Sequence, residues 1–161
     1  MDDEFIYCAE ENSATIEVIN PWNILVVDDD VDVHGTTTLT LMNVRINGRD
    51  LRLIHNYSGH EAIAYLENRT DVDLILLDMI METYKAGLEV ARWLREDAGR
   101  LDTPIIILRT GQPAQFSTED ILMNKHFNGM IEKSSMTRQK LITLLTEMLP
   151  GIGNQSSGIP S

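Results

Sequence analysis

The run Ile24-Leu25-Val26-Val27-Asp28-Asp29-Asp30 decides the reading of the chain, because a short, branched apolar segment ending in acids has the length and composition of a strand buried on both faces. The pattern returns twice. Leu74-Ile75-Leu76-Leu77 ends at Asp78, and Ile105-Ile106-Ile107-Leu108, introduced by Pro104, ends at Arg109 and Thr110. Leu51-Arg52-Leu53-Ile54 is a weaker second strand, and Gly129-Met130-Ile131, followed by Glu132 and Lys133, is a weaker fifth.

The segments between these runs have helical patterning. The first covers residues 32 to 44, after the acidic cluster. Ser58-Gly59-His60-Glu61 has the spacing of a capping box ahead of Ala62, Ile63, Tyr65 and Leu66, which starts a second helix near Ser58. Gly87 to about Ala98 carries Leu88, Val90, Ala91 and Leu94, and Ser117-Thr118-Glu119-Asp120 resembles a cap before Ile121, Leu122 and Met123. From about Thr137, Leu141, Leu144, Leu145 and Met148 recur at i, i+3, i+4 and i+7, the apolar stripe of an amphipathic helix. Strict alternation of strand and helix predicts a parallel sheet with right-handed crossovers and helices on both faces.

The ends differ from this middle. Residues 1 to 20 are acidic and lack sustained periodicity, although Thr15-Ile16-Glu17-Val18-Ile19 could add a short strand, so they are expected to form an arm. Residues 150–161 begin Pro150-Gly151-Ile152-Gly153-Asn154-Gln155-Ser156-Ser157-Gly158, the composition of a flexible linker or tail. Residues 21–149 are left as one domain, about the size a single core supports.

Composition narrows the function. A formal net charge of -12, from 25 acidic and 13 basic residues with no Lys/Arg cluster, argues against direct nucleic-acid binding, which depends on clustered cations facing phosphates. Cys8 is the single cysteine, so no intrachain disulfide is expected. The acidic start Met1-Asp2-Asp3-Glu4 is unlike a secretory signal, and no apolar run approaches the roughly 20 residues of a membrane span. A cytoplasmic protein without membrane association is expected.

In open α/β sheets, sites form outside the carboxyl ends of the strands. Polar residues collect there: Asp28, Asp29 and Asp30 after the first strand, Asp78 after the third, Arg109 and Thr110 after the fourth, and Lys133 just past the fifth. Singly, an Asp after a strand is most often a cap or turn residue, and a Lys is most often solvated or salt-bridged. Four strand ends converging on one chemistry is a different observation. Carboxylates brought together repel unless a cation is present, and a hard divalent ion such as Mg2+ takes oxygen ligands while keeping several waters.

The acidic run after Val27, the run Asp78-Met79-Ile80-Met81 with Gly87 downstream, and Lys133 together resemble the receiver domain of two-component response regulators over about residues 22 to 149. Met81-Glu82-Thr83, Leu108-Arg109-Thr110-Gly111-Gln112-Pro113 and Glu132-Lys133 are more narrowly similar to the receivers at the front of larger bacterial regulators, some with cyclic-di-GMP phosphodiesterase outputs. The resemblance implies a flavodoxin-like (βα)5 fold, a doubly wound five-stranded parallel sheet. It implies Asp78 as the phosphoacceptor, with Mg2+ held by Asp28, Asp29, Asp78 and the backbone carbonyl of Ile80, and Lys133 as a second cation. It implies a sensor histidine kinase or phosphotransfer protein as donor. An output domain or partner protein would then be controlled through the face of the fourth helix, fifth strand and fifth helix, with a homodimer through that face as a further option.

Several positions depart from the family pattern. The strand-four hydroxyl is expected in the fifth place after Pro104, where Arg109 stands, with Thr110 in the sixth. Either a one-residue bulge presents Thr110, or Arg109 points at the phosphoryl group instead. Met130 replaces the frequent aromatic residue, Glu82 the usual Pro after the loop Met, and Ser134 the usual Pro after Lys133, which argues against a cis peptide there. Gly87 comes one residue later than in the commonest spacing. The apolar Ile80 cannot orient water as polar residues at its place do, so slow self-dephosphorylation is expected.

His34, His55, His60 and His126 have no metal-ligand spacing and, with Trp22 and Trp93, are assigned structural or exposed roles. Two other classes compete with the receiver. One is a haloacid dehalogenase-like phosphatase, matched to a D-x-D spacing within Asp28-Asp29-Asp30-Val31-Asp32; the other is a pseudo-receiver that keeps the fold as an interaction module.

Overall fold

Strand β1, Trp22–Val27, is the centre of the molecule because residues on both of its faces are apolar and buried. The computed structural model describes residues 19–111 and 126–150, in which β1 is followed by α1 (Val31–Leu41), β2 (Arg45–Ile46), β3 (Arg49–Asn56) and α2 (Gly59–Glu67). Then come β4 (Leu74–Asp78), α3 (Ala86–Arg92), β5 (Ile105–Thr110), β6 (Gly129–Glu132) and α4 (Arg138–Met148). The sheet order is β2-β3-β1-β4-β5-β6, parallel except for β2, which pairs antiparallel with β3. The five expected strands are thus present, and a two-residue strand extends the sheet at its β3 edge.

Alternation along the strands sorts the core into two layers. Leu25, Val27, Ile75, Leu77, Ile106 and Leu108 pack with Ala62, Leu66, Val90 and Leu94 of α2, α3 and the turn after it. Ile24, Val26, Leu74, Leu76 and Ile107 pack with Leu41, Leu141 and Leu145 of α1 and α4 on the other face. Trp22, Val90, Leu141 and Leu145 are core residues, as the apolar pattern predicts, and Trp93 packs partly buried against the first layer.

Helix starts follow local chemistry. Asp30 caps α1 by accepting from Asp32 N, Ser58 caps α2 by accepting from Glu61 N, and Thr137 caps α4 by accepting from Lys140 N. In α2 Glu61 reaches back past the cap, its Oε2 accepting from Tyr57 N at 2.6 Å, one residue ahead of the N–H that a capping box uses. The expected third helix is regular only to Arg92 and continues as a π turn, Trp93–Asp97. That turn carries the buried Arg95, which donates to His126 O, Arg100 O and Asn128 Oδ1. The expected helix from Ser117, the short strand at Thr15 and the 150–161 tail lie outside the described residues, save Ile19 and Pro150.

The β2–β3 hairpin turns at Asn47 and Gly48, both with positive φ, an Asn-Gly pair suited to a two-residue turn. Asn47 Nδ2 donates to Leu149 O at 2.7 Å and Thr146 O at 3.2 Å, while Arg49 Nε donates to Asn20 O at 2.6 Å. The Arg49 guanidinium also sits 3.5 Å over the Trp22 ring. One hairpin therefore holds both the segment leading into β1 and the segment leaving α4. No helix among the described residues is long and apolar enough to cross a membrane.

Candidate functional site

At the carboxyl ends of β1 and β4, a carboxylate oxygen from each of Asp28, Asp29 and Asp78 falls within 4.8 Å of the others. Asp28 and Asp78 are buried by the sheet and Asp29 is exposed at the mouth. Asp30, the fourth acid of the region, is turned away by its capping bond, and its own N–H donates to Asp28 Oδ1 at 2.9 Å. This spends Asp30 on α1 and removes the second acid of a D-x-D pair from the pocket.

Lys133 enters from the end of β6, with Nζ 2.9 Å from Asp28 Oδ2 and 3.2 Å from Asp78 Oδ2. The peptide that follows it is trans, the cis bond of the described residues being Thr103–Pro104. Burial pushes the Asp78 pKa up to about 6, and Asp28 adds to the rise while Lys133 opposes it. Burial works against the Lys133 charge, but the bond from Asp28 and the charges of Asp78 and Asp28 outweigh it and hold its pKa above the ordinary value. The Lys133 ammonium and the Arg109 guanidinium offset two of the three carboxylate charges, and the three carboxylates form an oxygen donor set that could hold a divalent metal.

The end of β5 fixes the register of Arg109 and Thr110. Pairing runs without interruption from Leu74↔Ile105 to Asp78↔Arg109 and from Ile107↔Gly129 to Thr110↔Glu132, so there is no bulge. Alternation then puts Thr110 on the side of Ile106 and Leu108, and Arg109 on the side of Ile107 with α1. The reading in which a bulge presents Thr110 is corrected by this ladder. Arg109 is buried, with Nη1 donating to Thr37 Oγ1 at 3.2 Å and Nη2 3.9 Å from Asp28 Oδ2. Burial lowers its pKa, and Asp28 and Asp78 act in the opposite direction.

The loop after Asp78 is fixed by backbone contacts. Met79 N donates to Arg109 O at 3.1 Å, and Gly87 N donates to Met79 O at 2.9 Å. A Cβ on Gly87 would collide with Asp78 O and lie 2.8 Å from Met79 Cα, so glycine lets α3 start against the loop. Ile80 is half-buried against the core. Met130, where an aromatic residue is frequent, is exposed on β6.

Two participants were not singled out from the residues. His34 is buried, its Nε2 2.7 Å from Asp28 O and its Nδ1 2.7 Å from His55 Nδ1. Because a carbonyl only accepts, His34 donates from Nε2 to Asp28 O, and one proton between the two Nδ1 atoms links His34 to His55. Burial, then the neighbouring His34, lowers the His55 pKa. Glu82 reaches the start of α2, where Oε1 accepts from Gly59 N at 2.8 Å and Oε2 from His60 N at 3.0 Å. Burial favours its protonation, but these N–H bonds outweigh that and hold its pKa below the usual value. A Glu in the place usual for Pro was the visible signal for the second; nothing in the spacing pointed to His34. His60 is exposed, and His126 pairs with Glu96 at 2.7 Å.

Residues 24–146 match the family described as the response regulator receiver domain, and the chain belongs to that family of phosphate-accepting modules of two-component signalling. The chain is 36% identical over 140 residues to the 3'3'-cGAMP-specific phosphodiesterase 2 of Vibrio cholerae serotype O1, an alignment covering 87% of this chain. It spans 27% of that relative's length. Among solved structures, the signal receiver domain of an HD domain-containing protein from Pseudomonas fluorescens Pf-5 superposes with a TM-score of 0.68 at 17% identity, covering 89% of this chain and 95% of that one. The receiver domain of Saccharomyces cerevisiae Ssk1, crystallised with the histidine phosphotransfer protein Ypd1, gives 0.61 at 20% identity, covering 82% and 91%. These likenesses carry the fold. With it, the haloacid dehalogenase-like phosphatase reading gives way to a receiver.

Proposed function

We propose that Asp78 is the phosphoacceptor of this receiver and that Mg2+ is held by Asp28, Asp29, Asp78 and the carbonyl of Ile80. The observation that carries the reading is the grouping of three carboxylates around one ammonium, with Asp78 the member that faces both Asp28 and Lys133. Bound Mg2+ supplies positive charge to the phosphoryl oxygens. An Asp78 Oδ attacks phosphorus as the donor's P–N bond breaks, the imidazole leaving group takes a proton, and an acyl phosphate results. Lys133 then shifts from its carboxylate partners toward the new dianion, and Arg109 supplies a further cation from the α1 side.

Residues 21–149 act as the receiver unit, with 1–20 as an arm and 150–161 as a linker. The phosphotransfer complex of the Ssk1 receiver supports a histidine phosphotransfer protein or kinase as donor, and the Vibrio cholerae relative supports a phosphodiesterase as output. The added charge, about -1.5 to -2 at neutral pH, drives the response through the face of β6 and α4. The intact pocket weighs against a pseudo-receiver.

The test is labelling by acetyl phosphate with Mg2+ present. One phosphoryl group per chain is expected on the wild type and none on Asp78→Asn; full labelling of the variant would refute the assignment.

A further inference from the structure

The loop that follows Asp78 is tied at two points. Its near end is tied at Met79, whose N–H and carbonyl are both bonded. Its far end is tied by Glu82, whose carboxylate takes two of the free N–H groups at the start of α2, while Ser58 takes a third. A Cβ at Gly59 would be in ordinary contact with both Glu82 oxygens at 3.4 Å and tight, at 3.2 Å, only against Val90 Cγ2. Ile80 sits between the two ties. On the opposite rim, His34 bonds Asp28 O and stacks on Tyr57, which immediately precedes the Ser58 cap. The start of α2 is thus joined to both acidic strand ends.

We propose that Glu82 is a positioning residue for the divalent cation, holding the Ile80 carbonyl in place by anchoring the acceptor loop to α2. The inference rests on the metal reading above. A capping carboxylate of purely structural use would change stability without changing cation affinity. A loop anchor changes affinity, because a carbonyl ligand that must be ordered on binding weakens the site, and outer residues that orient ligands are worth about ten- to a hundredfold.

Two variants of the whole chain separate anchoring from charge. Glu82→Asp keeps the charge but is shorter by one carbon–carbon bond, about 1.5 Å, too short for both N–H bonds. Glu82→Gln loses the charge and keeps one acceptor oxygen for α2. Titration with Mg2+ alone, followed calorimetrically, is expected to give about tenfold weaker binding for Glu82→Asp and less than threefold for Glu82→Gln. The Gly59 and His60 amide resonances should move in Glu82→Asp before any metal is added. Wild-type affinity in Glu82→Asp, or a loss in Glu82→Gln as large as in Glu82→Asp, overturns the anchoring role while leaving the metal site standing. Absence of Mg2+ binding by the wild type overturns the metal reading itself, and the inference with it.

Discussion

Arg109 Nη2 lies 3.9 Å from Asp28 Oδ2, and the two side chains are 3% and 1% exposed. A guanidinium buried behind the acidic pocket stands at the end of β5, where a hydroxyl is frequent in receivers. Removing it leaves Asp28 with Lys133 as its remaining cation. Arg109→Ala should destabilise the metal-free protein by about 2 kcal/mol, below the cost of a fully unpaired buried charge because Lys133 persists. It should also slow labelling by acetyl phosphate. Thr110→Ala, on the other side of the strand, should change the labelling rate far less. Urea denaturation and initial labelling rates check both, and an unaltered response in Arg109→Ala would reject its role.

Asp78 has its pKa raised to about 6, chiefly by burial. A raised carboxyl pKa means the folded state binds the proton more tightly than the unfolded state, so this contribution to stability is fully present below pH 4 and is lost as pH rises through 6. In EDTA, Asp78→Asn should therefore stabilise the protein at pH 7.5 by about 2 kcal/mol, allowing for solvent screening, and make little difference at pH 4. Denaturation midpoints at the two pH values decide it.

Mg2+ should reverse the same penalty. At a concentration a hundredfold above its Kd, a bound ion stabilises by about 2.7 kcal/mol. The rise in Tm on adding Mg2+ should fade as pH falls through 6, where Asp78 takes up its proton, and should be much reduced in Asp29→Ala. A Tm insensitive to Mg2+ at pH 7.5 would count against the site.

Gly87→Ala forces a methyl against the Asp78 carbonyl and the Met79 backbone. Neither neighbour is the end of a flexible side chain, so the start of α3 must move. A loss of about 3 kcal/mol is expected, with impaired labelling, because the acceptor carries the strain. Gly35→Ala, in the exposed interior of α1 with nothing near the new methyl, is the control and should stabilise by about 0.5–1 kcal/mol.

Ile80 offers no group to orient an attacking water. The acyl phosphate should be long-lived, and Ile80→Asn should shorten its half-life severalfold by providing a hydrogen-bonding group beside it. Decay of labelled protein in excess Mg2+, with donor removed, measures this directly.

The strands were legible because β1, β4 and β5 are buried on both faces and so carry unbroken branched apolar runs. Their carboxyl ends, and with them Asp28, Asp78 and Arg109, could be placed from that alone, whereas Lys133 follows the weaker, half-exposed β6. The antiparallel β2 was not legible, since two residues cannot establish a period; the Asn47-Gly48 pair was its available sign. The π turn was hidden because Arg95 looks like a surface residue until two acceptors from the distant 126–128 segment and one from the adjacent turn are brought around it. Arg109 and Thr110 could not be ranked from spacing, as their difference lies in which face of β5 each occupies. His34 escaped for a similar reason: its partners, a main-chain carbonyl and a second histidine 21 residues away, leave no residue-type pattern.

The Asn47-Gly48 hairpin bears on mechanics as well as topology. Because Arg49 grips Asn20 and Asn47 grips Leu149, tension between the two ends of the domain would load this corner first. The acidic pocket lies at the carboxyl ends of β1 and β4, away from Trp22 where β1 begins, and is shielded from that load. A receiver built this way can be tugged by its neighbours in a longer chain without its phosphate-accepting geometry being pulled out of shape.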